Sequence, residues 1–454
     1  MRHKIMASLF CSSLLCLPAY AVGIWDVYLL AQQKDPVLQS AWQEKLAGQE
    51  DEKLGQAGLL PSLSLTWQSG LKNWQTSQSR QSKGLFSRET HMVTTHRQYQ
   101  SQSGTLRLTQ PLFDYSAWAR YQMGIAQSLM ADANWRAKFS ELAVRVVNSY
   151  LDLMTAQDKV TLVNEQLAAW RQQLTHNQRM LRTGEGTITE VAETESQLAL
   201  SETEQIAALD EQAHARRMLE SLTGQRITSL SQLDKLTAGA FKPVELVPTR
   251  FEQWQQMALR DNAELAASQQ QMQVNHYQTE QQRAAFFPQI QLYASHGLNK
   301  SSTDSTIDQR SETSSIGIQL NYSVYSGGYS SAAVRQASAL YNKSKYDLES
   351  NTWKTLNNLH SAFNQCRSAE QRLAAYEKAV QSAVLQVKTI RQSIIAGQRS
   401  NLDLLNAERQ RYKARLELSE EKYRYIRAWI TLLYHSGQLN PAKIHEISQY
   451  FIAA

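Results

Sequence analysis

A short amphipathic segment occurs twice in the chain, and this duplication limits what the chain can fold into. Residues 57–70 read AGLLPSLSLTWQSG and residues 284–297 read AAFFPQIQLYASHG, with the proline and the last glycine in matching places. After each proline, apolar and polar residues alternate, which is the period of a strand with one apolar face. A second matching pair follows, TLRLTQPLFD from residue 105 and GIQLNYSVYS from residue 317. The chain therefore predicts four strands, two in each half.

Each strand pair is followed by a long helical segment with a heptad repeat. The repeating positions are Val146, Leu153, Val160, Leu167, Leu174 and Leu181 in the first half, and Leu359, Cys366, Leu373, Val380, Val387 and Ile394 in the second. This spacing predicts coiled-coil seams, and the first long helix would run from about 115 to 182, roughly 100 Å at 1.5 Å per residue. Because Cys366 is a seam position, we expect it to pack in a core rather than to react.

The repeat also predicts how the chain is divided. The first structural repeat covers residues 22–226 and the second covers 251–439. Each repeat has the order helix, strand, strand, long helix, turn and helix. A mixed segment, 227–250, separates the repeats, and a tail, 440–454, follows the second one.

The first residues, 1–21, have the pattern of a signal peptide: a basic start, a short apolar core and a final AYA. A lipoprotein is the alternative, but Cys11 and Cys16 follow Phe10 and Leu15, where a lipidation site needs a small residue. We therefore expect export from the cytoplasm. The rest of the chain contains no run of about 20 apolar residues, so it predicts no transmembrane helix.

Four strands are too few to cross a membrane alone. Unpaired backbone groups are costly in lipid, so membrane strands need a closed barrel of at least about eight strands. If these strands meet lipid, several chains must pool them. A small soluble sheet is the alternative. The Ser/Gln/Thr-rich segments 72–103 and 299–315 suit the long outer loops of a membrane barrel and favour that hypothesis.

Composition and motifs argue against other classes of function. The net charge of +6 is scattered, without an aromatic-interleaved basic patch, so we expect no nucleic-acid partner. The ten histidines show no metal-ligand spacing, and no nucleophile motif or phosphate loop occurs, so we expect no enzyme, metal or cofactor. A periplasmic coiled-coil adaptor or scaffold is the alternative from another class, but an adaptor should carry one helical hairpin rather than two.

Several motifs resemble those of the TolC family of outer-membrane channel-tunnel proteins. They are the strand entry LLPSLSL, the strand end LTQPLFD, and the segments LTGQ and GQRSNLDLLNAERQ. The resemblance covers nearly the whole chain after the signal peptide. It implies a mainly α fold with membrane β-structure, in which long antiparallel coiled-coil helices form an α-barrel. Four strands per chain would join a trimeric 12-stranded β-barrel, and the segments 227–250 and 440–454 would form an equatorial belt.

The resemblance also implies partners and a location. The homotrimer would be an exit duct in the outer membrane, in contact with lipid and extending into the periplasm. A periplasmic adaptor (a membrane fusion protein) and an inner-membrane ABC or proton-driven transporter would recruit it. The absence of a lipidation site and the closeness to TolC itself favour type I protein secretion, with drug or small-molecule efflux as the alternative.

Two glycines, Gly184 and Gly397, follow the long helices and mark the predicted turns of the two helical hairpins. Glycine suits a tight turn because it accepts a positive φ without strain. By resemblance, these turns are the periplasmic tips on which the adaptor docks.

The resemblance further implies a latch that holds the periplasmic entrance closed. Arg399 matches the family's gate arginine, and the positions of its partners correspond to Thr189 and Glu190. The family's gate tyrosine corresponds to Ile394, so one hydrogen bond of the latch is missing. We therefore expect a latch of Arg399 with Glu190 and Thr189 that is weaker than the family pattern.

A ring of acids is expected beside this latch. Asp403 follows a seam residue and, by resemblance, faces the pore, where three carboxylates would attract cations. The alternative is a solvated acid in the first turn of a helix, where the macrodipole favours negative charge. Asn406 stands where the family has a second acid, which reduces the implied cation selectivity.

Overall fold

The protein is described by a computed structural model of residues 23–83, 88–227, 233–236, 241–303, 306–396 and 398–452. The predicted signal peptide and Gly397 lie outside these residues. The chain divides into two compact units. The sheet unit contains Gln43–Asn134 and Glu264–Asn351, and the helical unit contains the described residues before, between and after these segments. Each unit thus takes residues from both predicted repeats, whose boundaries stay a prediction.

Helices account for most of the described chain. They are α1 (Ile24–Lys34), α2 (Pro36–Ala57), α3 (Tyr115–Thr183), α4 (Ile188–Thr223), α5 (Phe251–Asp261), α6 (Ala263–Arg283), α7 (Tyr329–Ile395), α8 (Asn401–His435) and α9 (Pro441–Ser448). Of these, α3 and α7 are the longest of those described. The bounds of α3 confirm the long helix predicted after the first strand pair. Within the described residues, no helix is both long and apolar enough to cross a membrane.

The strands form one four-stranded sheet and one short ladder. The sheet strands are β1 (Ser62–Lys83), β2 (Arg88–Phe113), β4 (Gln289–Thr303) and β5 (Thr306–Asn321), and β3 (Lys235–Leu236) pairs with β6 (Phe451–Ile452). The sheet has the order β1-β2-β4-β5, and every neighbouring pair is antiparallel. This order places β1 and β5 at the two edges.

The strands are longer than the sequence predicts. The described residues of 72–103 and 299–315, which we expected to be loops, continue both hairpins instead, and Leu71 to Lys83 pair with Gln100 to Arg88 in unbroken register. The expectation was wrong because a hairpin ladder satisfies backbone groups whatever the side chains are. A Ser/Thr/Gln-rich strand therefore needs no apolar face where both of its sides meet water.

One face of the sheet is apolar and exposed, and the other is polar. Residues paired across antiparallel strands share a face, and the register sets Leu65 opposite Leu106 and Leu292 opposite Ile318. The apolar face consists of Leu63, Leu65, Trp67, Leu106, Leu108, Ile290, Leu292, Ala294, Leu298, Ile316, Ile318 and Leu320. Leu65 is 73% exposed. The predicted alternation along the strands is therefore confirmed.

The predicted heptad positions lie in the core of the helical unit. Buried seam residues are Val146, Leu153 and Leu167 on α3, and Leu359, Cys366 and Leu373 on α7. On α8, Leu405, Ile426 and Leu433 are buried as well and are spaced by multiples of seven. Ile24 of α1, Trp254 of α5 and Ile444 of α9 join the same core. The seam prediction is confirmed here, whereas Leu181, near the end of α3, is 38% exposed.

Small residues line most of the seam of α4. The buried positions Thr194, Ser201, Ala208 and Ala215 recur every seven residues, and Leu222 ends the series. The indole Nε1 of Trp170 on α3 donates to Ser201 Oγ at 2.9 Å. A serine at this position therefore leaves room for the large ring and also satisfies its buried donor.

Polar contacts align α8 with α3 over several turns. The pairs are Arg427 with Asp152 at 2.5 Å, Tyr423 with Asp158 at 2.9 Å, and Arg415 with Glu165 at 2.5 Å. Tyr423 is buried, whereas the two arginine–carboxylate pairs are partly exposed. Such exposed ion pairs contribute only about 0–1 kcal/mol each. Their regular placement along both helices fixes the register of α8 more than it stabilises the contact.

A fully buried carboxylate joins α7 to α8. Glu421 accepts from Arg372 Nε and from Arg424 Nη1, both at 2.6 Å, and its side chain is 0% exposed. A buried charge is costly unless it is paired and hydrogen-bonded. Loss of either arginine would therefore leave Glu421 short of a partner inside the core.

The environment of Cys366 gives a test of the seam. Burial raises the pKa of its thiol to about 12, so the thiol stays protonated and unreactive at pH 8. We expect a maleimide or disulfide reagent to leave residue 366 unlabelled in the folded protein and to label it after denaturation, as measured by peptide mass spectrometry. A cysteine at exposed Ser361 on the same helix is the matched control and should react at once. Equal labelling of both thiols would contradict the seam assignment.

Candidate gate at the helix turns

The first hairpin turn is built around a glycine with positive φ. The helix α3 ends at Thr183, and Gly184 follows with a φ of 79°. The backbone N–H groups of Glu185 and Gly186 both donate to Met180 O at 3.0 Å, which satisfies a carbonyl at the helix end. A Cβ at Gly184 would meet nothing within 4 Å, so the backbone conformation, and not space, requires glycine there.

The two helices that leave the turns begin with the same local structure. At the start of α4, Glu190 N donates to Thr187 Oγ1 at 3.3 Å, and Thr187 N donates to Glu190 Oε2 at 2.9 Å. At the start of α8, Asp403 N donates to Ser400 Oγ at 3.3 Å, and Ser400 N donates to Asp403 Oδ2 at 3.0 Å. Each is a capping box. The two acids that the sequence singles out therefore hold equivalent positions.

The carboxyl of Asp403 is held in its ionised form. Hydrogen bonds from the Ser400 backbone and hydroxyl, together with the positive charge of Arg399, lower its pKa below the usual aspartate value. Arg399 Nη1 lies 3.7 Å from Asp403 Oδ1. The start of α8 thus carries a fixed negative charge with a cation beside it.

The proposed latch residues make other contacts within a single chain. The Arg399 side chain lies beside Asp403, and the Glu190 carboxylate caps its own helix through Thr187. Thr189 is exposed in the first turn of α4. A pairing of Arg399 with Glu190 and Thr189 therefore stays a prediction, as does the docking role of Gly184 and Gly397.

Two other predicted positions have clear surroundings. Ile394 packs, partly buried, against an apolar cluster between α7 and α8 whose buried members are Val387, Leu404 and Ala407. An isoleucine therefore serves packing at the place where the family pattern has a gate tyrosine. Asn406 is exposed on α8, one turn after the capping box, and contributes no charge there.

A buried polar network near the turns escaped the sequence analysis. Gln173 Nε2 on α3 donates to Asn177 Oδ1 and to Asn401 Oδ1, both at 2.9 Å. Asn177 Nδ2 donates to Thr194 Oγ1 at 2.9 Å, and Thr194 Oγ1 donates to Glu190 O at 2.8 Å. We call these four side chains (Gln173, Asn177, Thr194 and Asn401) the tip network. It joins α3, α4 and α8.

The heptad contained a signal for the tip network. Asn177 lies seven residues after Trp170, which is buried beside α4, and Asn401 precedes the buried Leu405 by four positions. Asn177 and Asn401 are each 6% exposed, and Thr194 is 0% exposed. A polar residue at a seam position fixes register and partner at a cost in stability. Reading the seam for its polar members would have found the network.

A second buried carboxylate lies two residues beyond Asn406. Glu408 is 5% exposed and accepts from Arg391 Nη2 of α7 at 2.7 Å, with Arg411 Nη2 at 2.8 Å. Glu408 thus joins the first turns of α8 to α7, and the tip network joins them to α3 and α4. Among the described residues, no cluster of three or more His, Cys, Asp or Glu is placed to hold a metal ion.

Comparisons with known proteins agree with this architecture. The sequence pattern of the outer membrane efflux protein family matches residues 27–225 and 254–438. The alkaline protease secretion protein AprF of Pseudomonas aeruginosa is 39% identical over 99% of this chain and 92% of its own length. The proteases secretion protein PrtF of Dickeya chrysanthemi is 35% identical over 100% of this chain and 96% of its own. TolC of Vibrio cholerae is 24% identical over 94% of each chain.

A solved structure shows the same fold. The outer membrane protein VceC of Vibrio cholerae superposes with a TM-score of 0.73 over 91% of this chain and 96% of its own, at 17% identity. This likeness confirms the predicted fold class, a mainly helical chain that contributes strands to a channel. The family match confirms the resemblance to TolC and the predicted location. The chain belongs to the outer membrane efflux protein family and is a transport protein of the outer membrane.

Proposed function

We propose that the protein is the homotrimeric outer-membrane duct of a type I protein secretion system. A periplasmic adaptor docks on its helix turns at Gly184 and Gly397, and an inner-membrane ABC transporter delivers the cargo. The observation that carries the oligomeric duct is the four-stranded sheet, whose apolar face is exposed and whose edge strands are β1 and β5. The nature of the cargo rests on the relatives.

The sheet is suited to lipid on one side only. From Leu63 to Leu71 the apolar positions of β1 span about 27 Å at 3.4 Å per residue, comparable to the ~25 Å apolar band of outer-membrane barrels. At the base of the sheet, the ring of Tyr115 lies 5.3 Å from that of Trp118 and 5.0 Å from that of Phe287. Aromatic clusters of this kind line the interfaces of membrane barrels.

Closure of the barrel requires further copies of the chain. Backbone groups on the outer edges of β1 and β5 need partners in lipid, and β5 of one copy can supply them to β1 of the next. Repetition of this one contact closes a ring with cyclic symmetry. Three copies give twelve strands, whereas one copy is below the smallest barrels known.

Protein secretion is the cargo class that the comparisons favour. The two relatives named for protease secretion are 39% and 35% identical over nearly the whole chain, above the 24% of TolC. Drug efflux through a proton-driven transporter is the alternative, supported by the name of the family. A cellular experiment distinguishes the two cargo classes.

We further propose that the turns form the gate. Arg399 pairs with Glu190 and Thr189 across the closed entrance, and the Asp403 carboxylates form a ring that attracts cations. Asn406 leaves this ring with one acid per chain. The Arg399–Asp403 distance of 3.7 Å means that the arginine partly neutralises the ring when the two side chains are together.

The lipid-facing assignment predicts an asymmetry between neighbouring residues of β1. Leu65→Arg should lower the yield of trimer in the outer membrane, because a charge at mid-bilayer on a barrel costs about 2–4 kcal/mol per chain. Thr66→Arg, on the polar face, should assemble normally. Membrane fractionation and heat-modifiable gel migration measure both. Equal assembly of the two variants would show that this face does not meet lipid.

The cargo proposal predicts a selective defect. Deletion of the gene should abolish protease activity in the culture medium while leaving the minimum inhibitory concentrations of drugs unchanged. Re-expression of the chain should restore secretion. Restored drug resistance with no effect on secreted protease would instead identify an efflux duct.

The latch predicts a change in planar-bilayer conductance. Arg399→Ala with Glu190→Ala should raise the conductance of the closed channel severalfold, because both charged partners are lost. Asn401→Ala should raise it as well, since it removes α8 from the tip network and leaves buried groups unpaired at a cost of about 1–3 kcal/mol. Arg182→Ala, at the exposed end of α3, is the control and should change nothing. Unchanged conductance in the double variant would rule the latch out.

The ring predicts a defined dependence on pH. Because the pKa of Asp403 is lowered, its charge is present above the usual aspartate pKa and is lost only as the pH falls below it. Asp403→Ala should therefore lower the cation selectivity, measured as the reversal potential, by the same amount at pH 5 and at pH 7. A variant with an unchanged reversal potential would exclude Asp403 from the pore.

A further inference from the structure

We propose that the polar face of the sheet is an anion-attracting surface for carboxylate groups, with Arg107 as its principal residue. The inference rests on the proposed function, in which this face lines the lumen of a barrel. The face is identified by register: Arg107 on β2 is paired with Ser64 on β1 and with Ser295 on β4. It is therefore opposite to the face that bears Leu65 and Leu106.

In the part of this face that surrounds Arg107, the charges have one sign. Over residues 62–72, 99–109, 289–299 and 309–321, the side chains on the face of Arg107 are Ser, Thr, Gln, Asn, Gly and Tyr, together with Arg107 and Lys72. In these ranges the acid of the sheet, Glu312, is on the opposite face, with His296 Nε2 at 3.4 Å. The polar face in these ranges therefore holds two cationic residues and no carboxylate.

The guanidinium of Arg107 is positioned by an aromatic ring. Its Cζ lies 5.8 Å from the ring centroid of Tyr293, within the range of a cation–π contact. Tyr293 in turn lies against Gly317 on β5, where a Cβ would come within 3.0 Å of the Tyr293 hydroxyl. The absence of a side chain at Gly317 leaves room for the Tyr293 ring, and this ring positions the Arg107 guanidinium above the sheet.

The neighbours of Arg107 do not compete for its charge. Ser64 Oγ donates to the Arg107 backbone carbonyl, and Ser295 bonds to Ser315 at 2.8 Å. Hydroxyl and amide groups leave the cation solvated but not neutralised. An arginine presents five N–H donors in a planar fork, which matches a carboxylate better than an ammonium does. Lys72, eight residues beyond Ser64 on β1, adds a second cation about 27 Å further along the strand.

Three copies of the chain would repeat these cations around the lumen. A narrow aqueous passage with low-dielectric walls concentrates the field of such charges and raises the local concentration of anions. Acidic side chains of a polypeptide in transit would be drawn to this segment. Hydroxyl- and amide-rich walls between the cations offer no apolar surface on which an unfolded chain could stick.

The test is the ion selectivity of the full-length trimer in planar bilayers. Arg107→Gln with Lys72→Gln should lower the chloride-to-potassium permeability ratio about twofold or more in 0.1 M salt, with a smaller effect in 1 M salt, where screening is stronger. Arg107→Lys should keep most of the ratio. Arg310→Gln is the matched control, because register with Lys300 sets it on the opposite face, and it should leave the ratio unchanged.

A second measurement addresses the carboxylate itself. Poly-L-glutamate added to the outer side should block the wild-type current, and the half-blocking concentration should rise about tenfold in the double variant. Poly-L-lysine should not block through this site. If the double variant keeps the ion selectivity and the poly-L-glutamate block of the wild type, this inference is wrong while the proposed function stands. A wild-type protein that forms no channel would overturn the proposed function and, with it, the lumen surface.

Discussion

The structure depends on one constraint, which is that backbone groups in lipid must find hydrogen-bond partners within protein. The sheet satisfies this constraint internally along β2 and β4, which have neighbours on both sides, but places β1 and β5 at its edges. Its apolar face is exposed to an extent that water would not favour, with Leu65 at 73%. Lipid against the apolar face would explain its exposure, and pairing of β5 of one copy with β1 of another would satisfy the two edges. The proposed oligomer therefore has an argument in the edges that does not depend on any relative.

The helical unit meets a different requirement, since its helices must pack in one register and, if the proposed gate is right, must also separate at one end. Apolar seam residues such as Val146 and Leu359 form the core away from the turns, whereas the seam near the turns contains Asn177, Thr194 and Asn401. Buried polar groups fix register but stabilise less than apolar packing does. The proposed gate would need a region of low local stability, and the polar members of the seam lie at the end of the helices that carries Arg399 and Asp403.

Patterns with a strict period could be predicted from the sequence, and features that depend on side-chain direction could not. The duplication, the strand faces and the seam through Cys366 follow from periods of two and seven. The extension of the first hairpin to Lys83 and Arg88 was missed because Ser, Gln and Thr are typical of loops as well as of solvated strands. The capping role of Glu190 was missed because sequence position does not tell whether a carboxylate turns back to its own helix or reaches across to another.

The capping boxes do not compete with the proposed latch, because each uses one oxygen of its carboxylate. Ser400 bonds to Asp403 Oδ2, while Arg399 lies nearer to Oδ1; likewise Thr187 bonds to Glu190 Oε2. A 3.7 Å pair at a wet surface contributes little, so Arg399 can exchange Asp403 for Glu190 at small cost. Asp403 would stay ionised after that exchange, since the Ser400 bonds are the larger cause of its lowered pKa. Closing the latch would then move Arg399 away from Asp403 and leave the charge of the Asp403 ring unneutralised. The latch and the cation selectivity would thus be coupled through Arg399.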